Sequence, residues 1–223
     1  MIGHAVFDLD GTLIDSAPLA TAILNAMLEA RGADARVSLG QARPHVTAGG
    51  PRMVEALMGD HCGDPASALS EFRERYAATP TPADCLYPGA REGLEAMARG
   101  GTGLAVWSNK PQHLCDKVLA ELDLAPLFSA IVGTGPHVPL KPDMTGFDLA
   151  LSRAGATRER ACYVGDSDLD YELARRAGVP IVLMTHGYGD YTARWPGAVL
   201  TDGFAGLPRI VTRLLADRGP NSA

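Results

Sequence analysis

Lysine is scarce in this chain: Lys110, Lys117 and Lys141 stand against seventeen arginines. Where arginine is the default cation, a lysine marks a position that wants a compact point charge rather than a planar fork. Two of the three fall inside the motifs described below. Cysteine is sparse too, and Cys62, Cys85, Cys115 and Cys162 form no C-x-x-C pair. That argues against thiolate metal sites and redox motifs, and for reduced, half-buried thiols. No apolar run approaches the roughly eighteen residues that span a bilayer. Met1-Ile2-Gly3-His4 lacks the basic segment and apolar stretch of a secretory signal, so a cytoplasmic protein is expected. Basic residues are outnumbered, for a net charge of −6. Neither nucleic acid nor a membrane is therefore expected as a partner, since both call for a dense basic face. Neither G-x-x-x-x-G-K-S/T nor G-x-G-x-x-G occurs, and nucleotide-fold readings drop out with them.

What is present suits an ordinary globular protein of 223 residues, 46% apolar and 21% charged. That is enough for one or two domains with a core that needs no staple. Short apolar runs at residues 4–7, 103–107, 130–132, 161–164, 181–184 and 198–200 are bounded by Gly, Pro, Asp or Asn, as suits strands buried on both faces. Helical patterns run from Pro111 to about residue 122, over 145–153 and over 168–177, the last ending at Gly178. Strand–helix alternation of this kind predicts a parallel sheet with helices on both faces. One stretch breaks the rhythm. Between Ser16 and Leu86 there are helices only: 17–31 ended by Gly32, 38–44 ended by Pro44, 51–58 after the Gly49-Gly50 turn, and 65–78 capped by Asp64. Thr79-Pro80-Thr81-Pro82 then reads as a linker. The expected organisation is a core of residues 1–15 and 87–217, a helical insertion over 16–86, and a frayed tail at 218–223.

The chemistry gathers at the strand ends, where open α/β sheets bind ligands. The first strand runs into Asp8-Leu9-Asp10-Gly11-Thr12-Leu13, and alternation along an extended chain would point Asp8 and Asp10 to one side. The bland alternative is a turn cap. The second strand ends in Ser108-Asn109-Lys110-Pro111 ahead of a helix, a ready anion site or simply a helix cap. Lys141-Pro142-Asp143 follows the third strand and Gly165-Asp166-Ser167-Asp168-Leu169-Asp170 the fourth. There Asp166 and Asp170 share a face or complement a helix N-terminus. His61, His113 and His137 have no ligand-spaced partner and read as surface residues. His186-Gly187-Tyr188-Gly189 reads as a loop beside the site.

Four such signals in this order, each after a different strand, resemble the four motifs of the haloacid dehalogenase superfamily of phosphatases. The resemblance covers nearly the whole chain. It implies a Rossmann-like α/β core with an inserted all-helical cap domain. Asp-Gly-Thr-Leu-Ile-Asp-Ser and the cap stretch Arg-Pro-His-Val-Thr-Ala-Gly-Gly look most like phosphoglycolate phosphatases. One departure is Met144, where a second proline often follows the lysine.

The resemblance implies that Asp8 is the nucleophile and Asp10 the general acid and then base, a role that needs surroundings favouring the neutral acid. Ser108, the Asn109 N–H and Lys141 would hold the phosphate. Two like charges at about 4 Å cost about 4 kcal/mol at an effective dielectric of about 20, so a carboxylate attacking a phosphate calls for a cation. Mg2+ is expected, and the resemblance implies its ligands: the Asp8 carboxylate, the Asp10 carbonyl and Asp166, with Asp170 acting mainly through water. The resemblance also implies, from an Asp at position 10, a phosphoester or phosphoanhydride substrate rather than a haloacid or phosphonate. Arg43, His45, Thr47 and Arg52 of the cap loop are candidates to read the leaving group. The expected partner is a small phosphorylated metabolite, 2-phosphoglycolate first, and the expected state is a monomer or homodimer. A sugar-phosphate phosphatase, a phosphomutase, or a non-catalytic binding protein on the same fold are the alternatives.

Overall fold

The computed structural model describes residues 3–47, 50–190 and 195–217. Six parallel strands form one sheet in the order β3-β2-β1-β4-β5-β6. They are β1 (His4–Phe7), β2 (Gly103–Pro111), β3 (Ala130–Thr134), β4 (Ala161–Gly165), β5 (Ile181–Met184) and β6 (Val199–Thr201). Side chains alternate between two apolar layers. Ala5, Phe7, Leu104, Val106, Cys162 and Val164 face α5 (Ala90–Arg99), α6 (Gln112–Glu121) and α9 (Leu207–Ala216). Val6, Ala105, Trp107, Ala161 and Tyr163 face α7 (Thr145–Arg153) and α8 (Asp168–Ala177). This double-sided burial is why the strands read as continuous apolar runs.

Between β1 and α5 lie four helices: α1 (Ala17–Ala30), α2 (Leu39–Val46), α3 (Gly50–Met58) and α4 (Pro65–Ala78). Their inner residues, among them Leu24, Met27, Val54 and Phe72, continue the apolar layer of one sheet face. The chain leaves and re-enters the α/β part side by side. Asp15 N–H donates to Cys85 O at 2.7 Å, and Tyr87 N–H to Leu13 O at 3.0 Å.

Several elements differ from expectation. β2 continues past Trp107 to Pro111, with irregular pairing to β3 over that stretch. A residue before proline is held extended, so Lys110 prolongs the strand. Pro111 becomes the N-cap of α6 rather than its first turn, and Ser108 and Asn109 sit on a strand end instead of a helix N-terminus. α2 runs through Pro44 to Val46. The bond that Pro44 forfeits has its acceptor at Gly40, an exposed residue without a side chain. Helices α5 and α9 were not anticipated, although Ala90, Leu94 and Met97, and Leu207, Val211 and Leu215, are buried at helical spacing. Gly49 and the 218–223 tail lie outside the described residues. All four cysteines are buried, and none is in a disulfide. His61, His113 and His137 are exposed.

Candidate active site

Asp8 extends the β1–β4 pairing by one residue, its N–H donating to Val164 O at 2.8 Å. The strand proper ends at Phe7, so strict alternation no longer governs Asp10. Gly11 then takes a φ of +86°, and a Cβ there would run into the Asp166 carboxylate. Only glycine lets the loop pass so close. Leu13 N–H and Ile14 N–H both donate to Leu9 O, at 2.9 and 3.1 Å, and turn the chain towards α1.

Three further strand ends converge on Asp8. Lys141 is buried, with its Nζ 2.7 Å from Asp8 Oδ1 and 2.8 Å from Asp170 Oδ1. Its backbone N–H donates to Asn109 Oδ1 at 2.7 Å, which ties the end of β2 to the lysine loop. Asp8, Asp166 and Asp170, all buried, each offer a carboxylate oxygen within 4.8 Å of the others. Thr12 Oγ1 donates to Asp166 Oδ1 at 2.8 Å, and Tyr188 N–H to Asp166 Oδ2 at 2.8 Å. Asp170 Oδ2 accepts from Ser167 Oγ at 2.6 Å and from the Asp166 and Ser167 N–H groups at 3.1 Å. Asp170 is therefore both the acid of a capping box on α8 and a member of the carboxylate cluster. Thr12 and Tyr188 were missed as holders of Asp166; the only hint was that Thr12 lies in the first motif and Tyr188 in the loop after β5.

Asp10 turns to a different partner. Its Oδ2 lies 3.1 Å from Lys110 Nζ, while its buried Oδ1 has no hydrogen-bond partner among the described residues. Lys110 in turn sits 4.3 Å from the centre of the Tyr76 ring on α4. Lys110 had been a bystander within its motif; here it joins Asp10 to the helical insertion. Ser108 is buried, its Oγ accepting from Lys110 N–H at 3.3 Å. A cavity of about 50 Å3 opens beside Asp10, walled by Ser16, Met53, Phe72, Arg73, Asn109 and Lys110 among others.

The cap-loop candidates do not line that cavity. Arg43 is exposed and pairs with Asp15 at 3.1 Å. His45 lines an outer groove with Arg36 and His61. Arg52 is exposed on α3. Thr47 is buried, and its carbonyl accepts from Asn109 Nδ2 at 3.4 Å, which brings the loop down onto the α/β part.

Burial dominates the electrostatics. It pushes the Asp8 carboxyl up to about 7 against the pull of Lys141, with Asp170 adding to the rise. It pushes Asp166 well above the usual carboxylate range, with Asp170 and Asp8 adding to the rise. Burial alone would depress Lys141, but Asp170 and Asp8 hold it well above the ordinary lysine range. An all-oxygen set of buried carboxylates around a single ammonium fits a hard divalent cation. A carboxyl whose folded pKa is raised stabilises the fold fully below its unfolded value, and that contribution is lost as pH rises through the folded value. Without metal, the melting temperature should therefore fall as pH rises from about 4 through about 7. Saturating Mg2+ should flatten that fall, and scanning calorimetry with and without EDTA checks it.

Three comparisons bear on this arrangement. The family model for haloacid dehalogenase-like hydrolases matches residues 2–178. The phosphoglycolate phosphatase of Rhodobacter capsulatus is 34% identical over 215 residues, covering 92% of this chain and 95% of the relative. That of Xanthomonas campestris pv. campestris is 32% identical over 201 residues, covering 88% and 90%. Among solved structures, one described as a predicted phosphoglycolate phosphatase from Haemophilus somnus superposes with a TM-score of 0.77 at 25% identity, over 94% of this chain and 97% of that one.

Proposed function

The chain belongs to the haloacid dehalogenase-like hydrolases, as a phosphoric monoester hydrolase of the phosphoglycolate phosphatase-like kind. From that premise we propose that it hydrolyses the phosphate ester of a small metabolite through an aspartyl-phosphate on Asp8, with Mg2+ as cofactor and 2-phosphoglycolate as the first candidate substrate. The observation that carries this reading is the position of Asp8, at a sheet edge against Lys141 and two further buried carboxylates, with a cavity beside neighbouring Asp10.

The Asp8, Asp166 and Asp170 carboxylates and the Asp10 carbonyl would hold Mg2+, which when bound offsets the repulsion between an anionic nucleophile and a phosphate dianion. Lys141 adds a fixed ammonium that pulls against the burial of Asp8 and aims its carboxylate. Ser108 Oγ and the Asn109 N–H receive phosphoryl oxygens at the end of β2. Asp8 attacks phosphorus, the ester P–O bond breaks, and the departing oxygen takes its proton from Asp10. Asp10 then removes a proton from a water that attacks phosphorus of the acyl phosphate, which frees inorganic phosphate and restores Asp8. Residues 16–86 act as a cap over the core of residues 1–15 and 87–217. Its descent onto Asn109 and Lys110 shuts bulk water out of both steps.

Phosphate release from a panel of small esters tests the reading. EDTA should remove activity and Mg2+ restore it. Ca2+ should do so poorly, because it prefers looser and higher coordination. Full activity in metal-free buffer would overturn the mechanism.

A further inference from the structure

We propose that Arg73, on α4 of the helical insertion, reads an anionic group on the leaving alcohol, so that the enzyme's substrates are phosphate esters of small hydroxy acids. The inference rests on the phosphatase reading above and adds to it the residue that reads the leaving group.

The charges lining the cavity beside Asp10 are Asp10, Lys110 and Arg73. Lys110 already has a partner in Asp10, 3.1 Å away. Arg73 is left over. It is half-buried and makes no hydrogen bond or ion pair among the described residues. The local sequence explains why. At three and four residues on either side stand Leu69, Ser70, Tyr76 and Ala77, so α4 offers no acid within reach. Its neighbour Arg75 differs, pairing with Glu71 four residues earlier at 2.9 Å. Arg31 also reaches Glu71, at 2.7 Å, and Glu74, next to Arg73 in the chain, accepts from Ser70 Oγ at 3.1 Å.

The cavity walls around Arg73 are largely apolar, with Val46, Met53, Leu69, Phe72 and Leu114. Burial lowers the Arg73 pKa, and no carboxylate offsets it. A guanidinium facing such walls without a partner is costly. A carboxylate on the bound ester would supply that partner, in the fork geometry that guanidinium matches best. The phosphate sits at Asp8 and Lys141, and the leaving oxygen at Asp10. The next atoms of the alcohol therefore extend into the partly open cavity of about 50 Å3 whose wall Arg73 helps to form.

The test compares two esters of one shape: 2-phosphoglycolate, and 2-hydroxyethyl phosphate, in which a neutral hydroxymethyl replaces the carboxylate. The readout is the ratio of their kcat/KM values in the full-length enzyme with Mg2+. Arg73→Ala should lower that ratio roughly ten- to hundred-fold, with most of the change in KM. Arg73→Lys should recover part of it. Arg73 is half-exposed, so both variants should fold, and their melting temperatures verify it. A ratio within about two-fold of wild type in Arg73→Ala overturns the proposal, as does a larger fall in Arg52→Ala. Wild-type enzyme that cleaves both esters without preferring the acid overturns it too, while leaving the phosphatase reading intact. Wild-type enzyme that cleaves no phosphate ester removes both.

Discussion

Asp8→Asn should abolish turnover, lowering kcat by more than about a thousand-fold, the order expected when a covalent nucleophile is lost, while the protein stays folded. The amide keeps the shape of the side chain but has no anionic oxygen to attack phosphorus. The fold should bear the change easily. Burial already disfavours charge on Asp8, pushing its carboxyl up to about 7, so a neutral side chain removes a penalty. Lys141 keeps its contact with Asp170 at 2.8 Å and is not stranded as a lone buried charge, the situation that makes broken buried pairs costly. The melting temperature without metal should match wild type or rise slightly, and Mg2+ should stabilise the variant less. Activity above a few per cent of wild type, in a preparation free of wild-type enzyme, would remove Asp8 from the nucleophile role.

Lys141→Arg should be nearly as damaging, although the charge is conserved. The Lys141 side chain is 1% exposed. Its ammonium fits between Asp8 and Asp170 and lies 5.4 Å from the centre of the Tyr163 ring. A planar guanidinium is larger and cannot place one compact charge on both carboxylates. Overpacking a filled site costs about 1–3 kcal/mol, which should appear as a lower melting temperature. The displaced Asp8 should cost at least about a hundred-fold in kcat/KM, since a misplacement of about 1 Å is enough for that. Lys141→Met tells the two effects apart. It fits by volume but leaves Asp8 and Asp170 without their counter-charge, so it should be inactive with raised sensitivity to high pH. A Lys141→Arg enzyme within about two-fold of wild type would make Lys141 an ordinary charge.

The scarcity of lysine was an informative sign. Lys141 and Lys110 both proved to be buried and ion-paired, whereas Lys117 makes an i,i+4 pair with Glu121 at 2.6 Å on α6. The four strand-end motifs were legible for a local reason. Each joins a short continuous apolar run to a turn or cap signal within a few residues, and both are written in consecutive positions. The same holds for the cap at Asp64 and for the helix stop at Gly178. Where local signals competed, expectation slipped. Pro111 was given to the helix, but its constraint on Lys110 favoured the strand, and Pro44 was read as a stop although a short exposed helix tolerates the loss of one bond.

What the sequence determined alone was thus the order of the six strands, the run of helices after the first of them, and the convergence of Asp8, Lys141, Asp166 and Asp170 on one sheet edge. That convergence follows from topology, because parallel strands all end at the same side. Tertiary structure decided which groups meet where the helices between β1 and α5 pack on the sheet: the Tyr76 ring against Lys110, itself paired with Asp10, and Thr47 on Asn109. These pairs bring together residues tens of positions apart, on helices whose approach is set by packing rather than by any local pattern. Spacing along α4 already separates Arg75, four residues after Glu71, from Arg73, which has no acid at that spacing. Only the packing of the helices puts Arg73 on the wall of the cavity beside Asp10.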